Sequence, residues 1–565
     1  MPVLPSSPSD FTATLKSAAI ANAAVGGVSF RPSKNSGGFV SLGALGAIVT
    51  QSAVARATIS QRFDPDLAPA APAPEPIIQS ITLNRTGTTE VYIVKYNTNG
   101  SIQWARRING QGAGWTGTAT GPGQGITTDS SGNVYVTGTS EGAVTVFDID
   151  NVSTAFSLGS AGNGDIFIVK YSPAGTPLWA RRIAGGQIDQ SNGIGTDSAG
   201  NVYVGGIFFT SVALFGATDT SSSLSVTSIS SADAFIAKYN SSGTPQWIRK
   251  IASAGNDQGM AMAVDTSGNV FVSGYTTASS ISLYNGSDVA SVTLTGGSGS
   301  QRGYIAKYDT TGDPKWLRVF SNGGNTVSTA ITTDSSGNSY VAGQFDNIGS
   351  LTTLGGTNTL TLTVLQSGED TAYLIKYDTS GEPVWARVLI PGRLVRFGIA
   401  TDSSANVYLG GFYGPINIRN ADGSSFVTDT AVGTGVAIVK YASDGTPQWF
   451  RKIDGSGSDS GANLSTDSTG NLYVTGQYAS SPLTVFNGSV DGKTTGTTAF
   501  TTLANSGTED TFLVKYNTSG TPLWATRIGG TGSDIPSAVK SDASGNVVAV
   551  GKYTSNPLTL RTTGF

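Results

Sequence analysis

FIVKYSPAGTPLWARRIAGGQIDQSNGIGTDSAGNVYVG, residues 167–205, contains every element that decides the fold. Lys170 is followed by Tyr171, Trp179 stands nine residues after the Lys, and a D-x-x-G-N-type turn begins at Asp197. The same Lys-to-Trp spacing recurs at Lys95 and Trp104, Lys238 and Trp247, Lys307 and Trp316, Lys376 and Trp385, Lys440 and Trp449, and Lys515 and Trp524. Successive lysines are separated by as few as 64 residues (Lys376 to Lys440) and as many as 75 (Lys95 to Lys170). Fixed spacing at such a period marks supersecondary units that bury their apolar faces only against one another.

Each period contains four strand signals. In the quoted stretch they are Phe167 to Tyr171, Leu178 to Ile183, Gly193 to Asp197 and Val202 to Gly205, short runs separated by Gly, Asn, Asp and Pro. The expectation is an all-β, seven-bladed β-propeller with four-stranded blades. The chain enters the repeat with Val91 to Tyr96 and Ile102 to Ile108, and leaves with Ala538 to Ser541 and Val547 to Gly551. Joined, these halves predict a closing blade shared by N- and C-terminal strands, which hides edges that would otherwise pair with other chains. Residues 1–76 read as an N-terminal arm ending in the Pro-rich linker DLAPAAPAPEP (Asp66 to Pro76), and residues 77–565 as the propeller.

In the first strand of each unit the third residue before the turn Asp is Ile126, Ile194, Met262, Ile331, Ile399, Leu464 or Val539. The second before it is Thr127, Gly195, Ala263, Thr332, Ala400, Ser465 or Lys540. Strand residues alternate between faces, so a bulky face meets a mostly small one near the axis, and Lys540 is expected to point into the central channel.

DSSGNVYVTG at 129–138, FIVKY at 167–171 and GTPLWARRI at 175–183 resemble the family named for the seven-bladed β-propeller repeat, SBBP. The resemblance runs over about residues 77–565 and implies the propeller fold without a common catalytic activity. Ala405 stands where the turn Gly should be and Val548 where the Tyr should be.

Composition narrows the function. Gly accounts for 75 of 565 residues and charged residues for 12%, which suits a turn-rich chain with a Ser/Thr/Asn surface. A formal net charge of −4 without a Lys/Arg cluster speaks against nucleic acid. The absence of Cys and His removes thiolate and imidazole ligands, Ser-His-Asp machinery and the usual neutral-pH base. The N-terminus lacks a basic segment followed by an apolar one, so no signal peptide is expected, and the most apolar stretch, Val40 to Val49, is too short to span a bilayer.

Three recurrent groups are candidates for chemistry. The turn aspartates Asp129, Asp197, Asp265, Asp334, Asp402, Asp467 and Asp542 superficially suggest calcium, but one carboxylate per loop is too few, and they read as hairpin caps. The tryptophans Trp104, Trp179, Trp247, Trp316, Trp385, Trp449 and Trp524 read as apolar anchors between blades, not as a stacking platform. Ten residues after the Trp, Asp189, Asp257, Asp459 and Asp534 read as loop caps, with cation or sugar binding as the alternative. No catalytic or cofactor-binding residue is expected.

The long connections between second and third strands carry further alternation, as in AVTVF at 143–147, SISLYNG at 280–286 and PLTVFNG at 482–488, and predict β-arms on one face. PLTLRTTGF and IIQSITLNRTG look like two halves of one such arm, leaving the N-terminal segment to emerge on the arm-bearing face. The leading expectation is a non-catalytic structural or interaction protein on an extracellular or particle surface, a virion component among the options, bound to protein partners through residues 1–76. The alternatives are a carbohydrate-binding adhesin on the arm face and a glycoside hydrolase or lyase in the central funnel.

Overall fold

The computed structural model describes residues 80–110, 125–346, 350–362, 371–390, 398–413, 416–422, 424–429, 435–488 and 495–562. The expected N-terminal arm and linker lie outside the described residues. The strands form seven six-stranded antiparallel sheets, numbered here as blades 1 to 7 after Trp104, Trp179, Trp247, Trp316, Trp385, Trp449 and Trp524. Strands are lettered a to f from the axis outward. In blade 2 they are Ile126–Thr128, Val134–Ser140, Asp165–Tyr171, Pro177–Gly185, Ser211–Phe215 and Ser222–Thr227.

Strands a to d of a blade are the four runs read from the repeat. Strands e and f are not. Ser211–Phe215 and Ser222–Thr227 lie in sequence between strands b (Val202–Phe208) and c (Asp233–Tyr239) of blade 3, yet they pair onto strand d of blade 2, with Val212 opposite Gly185 and Leu214 opposite Ile183. The expected fold class is therefore corrected: the blades have six strands, not four. The β-arms expected on one face instead extend the outer edge of the preceding blade. A free strand d would present unpaired N–H and C=O groups to solvent, and the alternating segment supplies both the ladder and an apolar face. Val144 and Val146, in the segment read as AVTVF, are buried against blade 1 while Thr145 between them is half-buried.

The chain ends meet in two blades instead of one. In blade 1, Glu90–Tyr96 pairs with Val547–Tyr553 in register from Glu90 opposite Tyr553 to Tyr96 opposite Val547. In blade 7, Leu558–Arg561 is strand e and Ser80–Leu83 is strand f, with Leu83 opposite Leu558. The outer hairpin of blade 7 would come from the connection between strands b and c of blade 1, and that is where the circle is cut. The two arm halves read from PLTLRTTGF and IIQSITLNRTG thus join as one hairpin.

No single core holds the ring. Apolar side chains form clusters across blade boundaries, such as Trp104, Ile108 and Val146 of blade 1 with Val136, Phe167 and Tyr171 of blade 2. The bulky-against-small pattern near the axis has a steric cause: a Cβ added to Gly195 would lie 2.5 Å from Cγ2 of Val264 in the next blade. Each blade is consequently stable only beside its neighbours.

Cutting the chain to begin at residue 84 removes strand f of blade 7 and the buried Leu83. Urea unfolding is expected to show a loss of about 2 kcal/mol relative to the full chain, while a chain beginning at residue 77 keeps its midpoint.

Candidate functional site

Lys170 and Trp179 are cross-strand partners, nine residues apart because a bulge after Lys170 and a tight turn lie between them. Cross-strand partners share a face, so both side chains project toward blade 3. There they donate to one acceptor, the Ser241 carbonyl in the turn between strands c and d, from Lys170 Nζ at 3.0 Å and Trp179 Nε1 at 3.2 Å. Arg181 takes the next two carbonyls, Ser242 at 3.1 Å and Gly243 at 2.6 Å. Three consecutive turn carbonyls are thereby bonded by the preceding blade.

This clamp recurs around the ring. The Trp and Lys acceptors are the carbonyls of Pro173, Ser241, Thr310, Thr379, Ser443, Thr518 and Thr98, the last carrying blade 7 onto blade 1. Arg106, Arg181, Arg249, Arg318, Arg387 and Arg451 act alike, and each stacks near its own Trp, 5.1 to 5.6 Å from the ring centroid. Blade 7 has Thr526 in this place, which donates to the Arg561 carbonyl instead. The sequence reading passed over these arginines, although a W-x-R pattern in six units signals them.

The turn aspartates stand directly behind the clamp. Asp129 Oδ1 accepts from the N–H of Ser131 and Asn133, and Oδ2 accepts from Asn133 Nδ2 at 2.7 Å and the Tyr135 hydroxyl at 2.8 Å. Tyr135 in turn lies beneath the Lys170 ammonium, 5.0 Å from its ring centroid, and against Trp179 at 5.9 Å. Where Val548 replaces this Tyr, Lys95 closes on Asp542 to 2.8 Å. Where Ala405 replaces the turn Gly it adopts φ +59°, a left-handed conformation that costs a non-glycine residue roughly 1–2 kcal/mol. In blades 2, 3, 5 and 6 the recurrent Asp, Tyr, Lys, Trp and Arg are thus one bonded cluster, while Phe271 and Val548 replace the Tyr in blades 4 and 1.

The receiving turn is shaped to match. Gly175 has φ +80°, and a Cβ there would lie 2.7 Å from Cδ2 of Trp104, so the position needs glycine for both its backbone and its closeness to the ring. Trp104 also lies 6.3 Å from Tyr171 of that same blade, placing the indole between neighbouring blades.

A second cation pins the outer hairpin in four blades, the fourth being blade 6 with Lys452 5.4 Å from the Phe486 ring centroid. Arg107 stacks 3.7 Å from the Phe147 ring centroid, Arg182 4.0 Å from Phe215 and Lys250 4.7 Å from Tyr284. Arg182 and Lys250 also reach Asp219 and Asp288 in the hairpin turns, at 2.9 and 3.0 Å. This accounts for the aromatic residue at Phe147, Phe215, Tyr284 and Phe486; Leu354, Arg419 and Arg561 stand at that position in the other three blades.

The four later aspartates begin strand a of blades 3, 4, 7 and 1 and are fully buried. Three cap loops: Asp257 accepts from Ser253 Oγ, Asp459 from the Ser480 N–H and Oγ, and Asp534 from Ser555 and Thr554. Asp189 differs. Neither of its carboxyl oxygens has a hydrogen-bond partner of good geometry, the nearest donors being the N–H groups of Gly185 and Phe209. Burial, and next the Asp165 carboxylate, push the Asp189 carboxyl up to about 8; burial also raises Asp257 to about 7. A carboxyl that keeps its proton at neutral pH is a poor cation ligand. Among the described residues no group of three or more acids is placed to hold a metal ion, and no helix is long and apolar enough to cross a membrane.

The SBBP family model, described as a beta-propeller repeat, matches residues 178–206 and 246–281. An uncharacterized WD repeat-containing protein, L264, of Acanthamoeba polyphaga mimivirus is 27% identical over 526 residues; the match takes in 82% of this chain and 37% of that protein. Among solved structures, rhamnogalacturonan lyase YesW overlaps 77% of this chain and 91% of its own at 12% identity and a TM-score of 0.20. The exotype rhamnogalacturonan lyase YesX overlaps the same shares at 9% identity and 0.19. Overlaps this loose carry no argument about fold or chemistry.

The buried Asp189 gives folding a pH dependence of definite sign. In the unfolded chain it ionises near pH 4, whereas the folded chain keeps it protonated to about pH 8. Its contribution is therefore fully present below about pH 4 and is lost as pH rises through about 8. Asp189→Asn, which mimics the protonated acid, is expected to be more stable than the parent at pH 8.5, by at least about 1 kcal/mol, and to differ less from it at pH 5. Urea midpoints at the two pH values check this.

Proposed function

We propose that this SBBP beta-propeller repeat protein is a non-catalytic structural and interaction component of a particle, with residues 1–76 as its tether. The observation that carries this reading is the use of the recurrent polar groups. The Asp of each turn, with the Lys and Trp of each blade and the Arg of six, is spent on bonds within the ring. Such a repeat builds a rigid display platform and leaves no recurrent reactive constellation.

Two further features support it. Ser80, the first described residue, begins strand f of blade 7 opposite Arg561 at the rim, on the side where the hairpin turns of the blades lie. Six exposed apolar side chains lie on that side, spread over five blades: Ile149 and Val152 in one hairpin turn, Val289 in another, and Leu178, Val384 and Leu523 at the start of strand d. The resemblance to a mimivirus protein makes a virion the particle of first choice.

Deleting residues 1–76 is the test. The truncated chain is expected to keep the thermal midpoint of the full protein and to stop co-sedimenting with the purified native particle. Co-sedimentation at the full level after the deletion would place attachment on the propeller and refute the tether.

A further inference from the structure

Strands a of all seven blades surround a central cavity of about 460 Å³. Its wall combines bulky apolar residues, among them Ile126, Ile194, Met262, Ile331 and Leu464, with small and hydroxyl-bearing ones. At the second position before the turn Asp the other six blades offer Thr127, Gly195, Ala263, Thr332, Ala400 and Ser465. Blade 1 alone offers a charge there, Lys540, in its strand a, Asp534–Ser541. Three of the residues at this level, Thr127, Thr332 and Ser465, carry hydroxyls; that of Ser465 accepts from the Ser541 N–H and that of Thr127 lies 3.5 Å from Thr196 Oγ1.

Lys540 is open to solvent in the cavity although protein surrounds it. Among the described residues no carboxylate lies within ion-pair distance of it. The two acids in the cavity wall are engaged elsewhere: Asp334 accepts from Asn338 and Tyr340, and Asp402 from Asn406 and Tyr408 with Lys440 at 3.6 Å. The neighbouring Asp542 is paired with Lys95. Enclosure by protein lowers the Lys540 pKa, and no nearby acid raises it. Each clamp-forming lysine meets a turn carbonyl, whereas Lys540 faces the cavity.

We propose that the central channel binds a small oxyanion at Lys540. A narrow cavity with low-dielectric walls concentrates the field of one uncompensated cation, and the ammonium together with wall hydroxyls supplies charge-assisted donors for a tetrahedral or carboxylate oxygen set. The small residues at the same level in the other blades leave the volume for the ligand. No role in the tether or the turn side of the ring is required, so this site stands or falls apart from the proposed function.

Inorganic phosphate is the probe. Titration calorimetry on the full chain is expected to show one phosphate per chain, with affinity reduced at least about tenfold in Lys540→Met and largely retained in Lys540→Arg. Lysine labelling followed by mass spectrometry needs no variant: phosphate should slow modification of Lys540 and leave the surface Lys315 unaffected. Absence of binding heat, equal affinity in Lys540→Met, or a Lys540 labelling rate indifferent to phosphate would each overturn the proposal.

Discussion

A tight turn between antiparallel strands leaves backbone carbonyls that neither strand can bond, and buried carbonyls must find donors. In this protein the turn between strands c and d of every blade is pressed against its predecessor, and the predecessor supplies the donors. Lys and Trp share the first carbonyl, and in six of the seven clamps Arg takes the next two. Neutral hydrogen bonds contribute about 1 kcal/mol each and charged ones about 1.5–3, so a clamp with two cations is a substantial part of each blade interface. It also has a direction, from each blade to the one that follows.

A second set of bonds runs the opposite way near the axis. Thr196 donates to the Thr128 carbonyl of the blade before it, Thr128 to Ser541, Ser541 to Thr466, Thr466 to Thr401 and Thr401 to Thr333. Val264 has no hydroxyl and interrupts the belt. Between the belt and the clamps lies the apolar packing of the blade faces, so every boundary except that between blades 3 and 4 is held at the axis as well as in the middle and toward the rim. The seam between blades 7 and 1 lacks the clamp Arg, and the chain ends are joined within the two blades that flank it, Tyr96 with Val547 in blade 1 and Leu83 with Leu558 in blade 7.

Much of this was legible in the residues because the repeat is local. The Lys-to-Trp spacing is the register of a hairpin, and the D-x-x-G-N run is a turn that caps itself; both are properties of neighbouring residues. The alternation in AVTVF and PLTVFNG revealed strands but not the edge they would join, because alternation encodes a buried face and carries no address. The edge is chosen by the unpaired strand d of another blade, a tertiary fact. The clamp arginines were visible as W-x-R yet their acceptors, carbonyls of a turn up to 69 residues away, were not. Asp189 looked like its three counterparts, yet Gly185 stands four residues before it where Asp257 has Ser253, and neither of its carboxyl oxygens gains a hydroxyl partner.

The account makes the repeat a mechanical device, with polar residues joining blades and surfaces left for partners. Its central claim is that Arg181 and its equivalents hold neighbouring blades together. The direct measurement is the urea stability of Arg181→Met beside Arg561→Met, a control at an exposed arginine outside the clamp. The account predicts a loss of about 1.5–3 kcal/mol for the first and less than about 0.5 kcal/mol for the second. An Arg181→Met protein as stable as the control would contradict it.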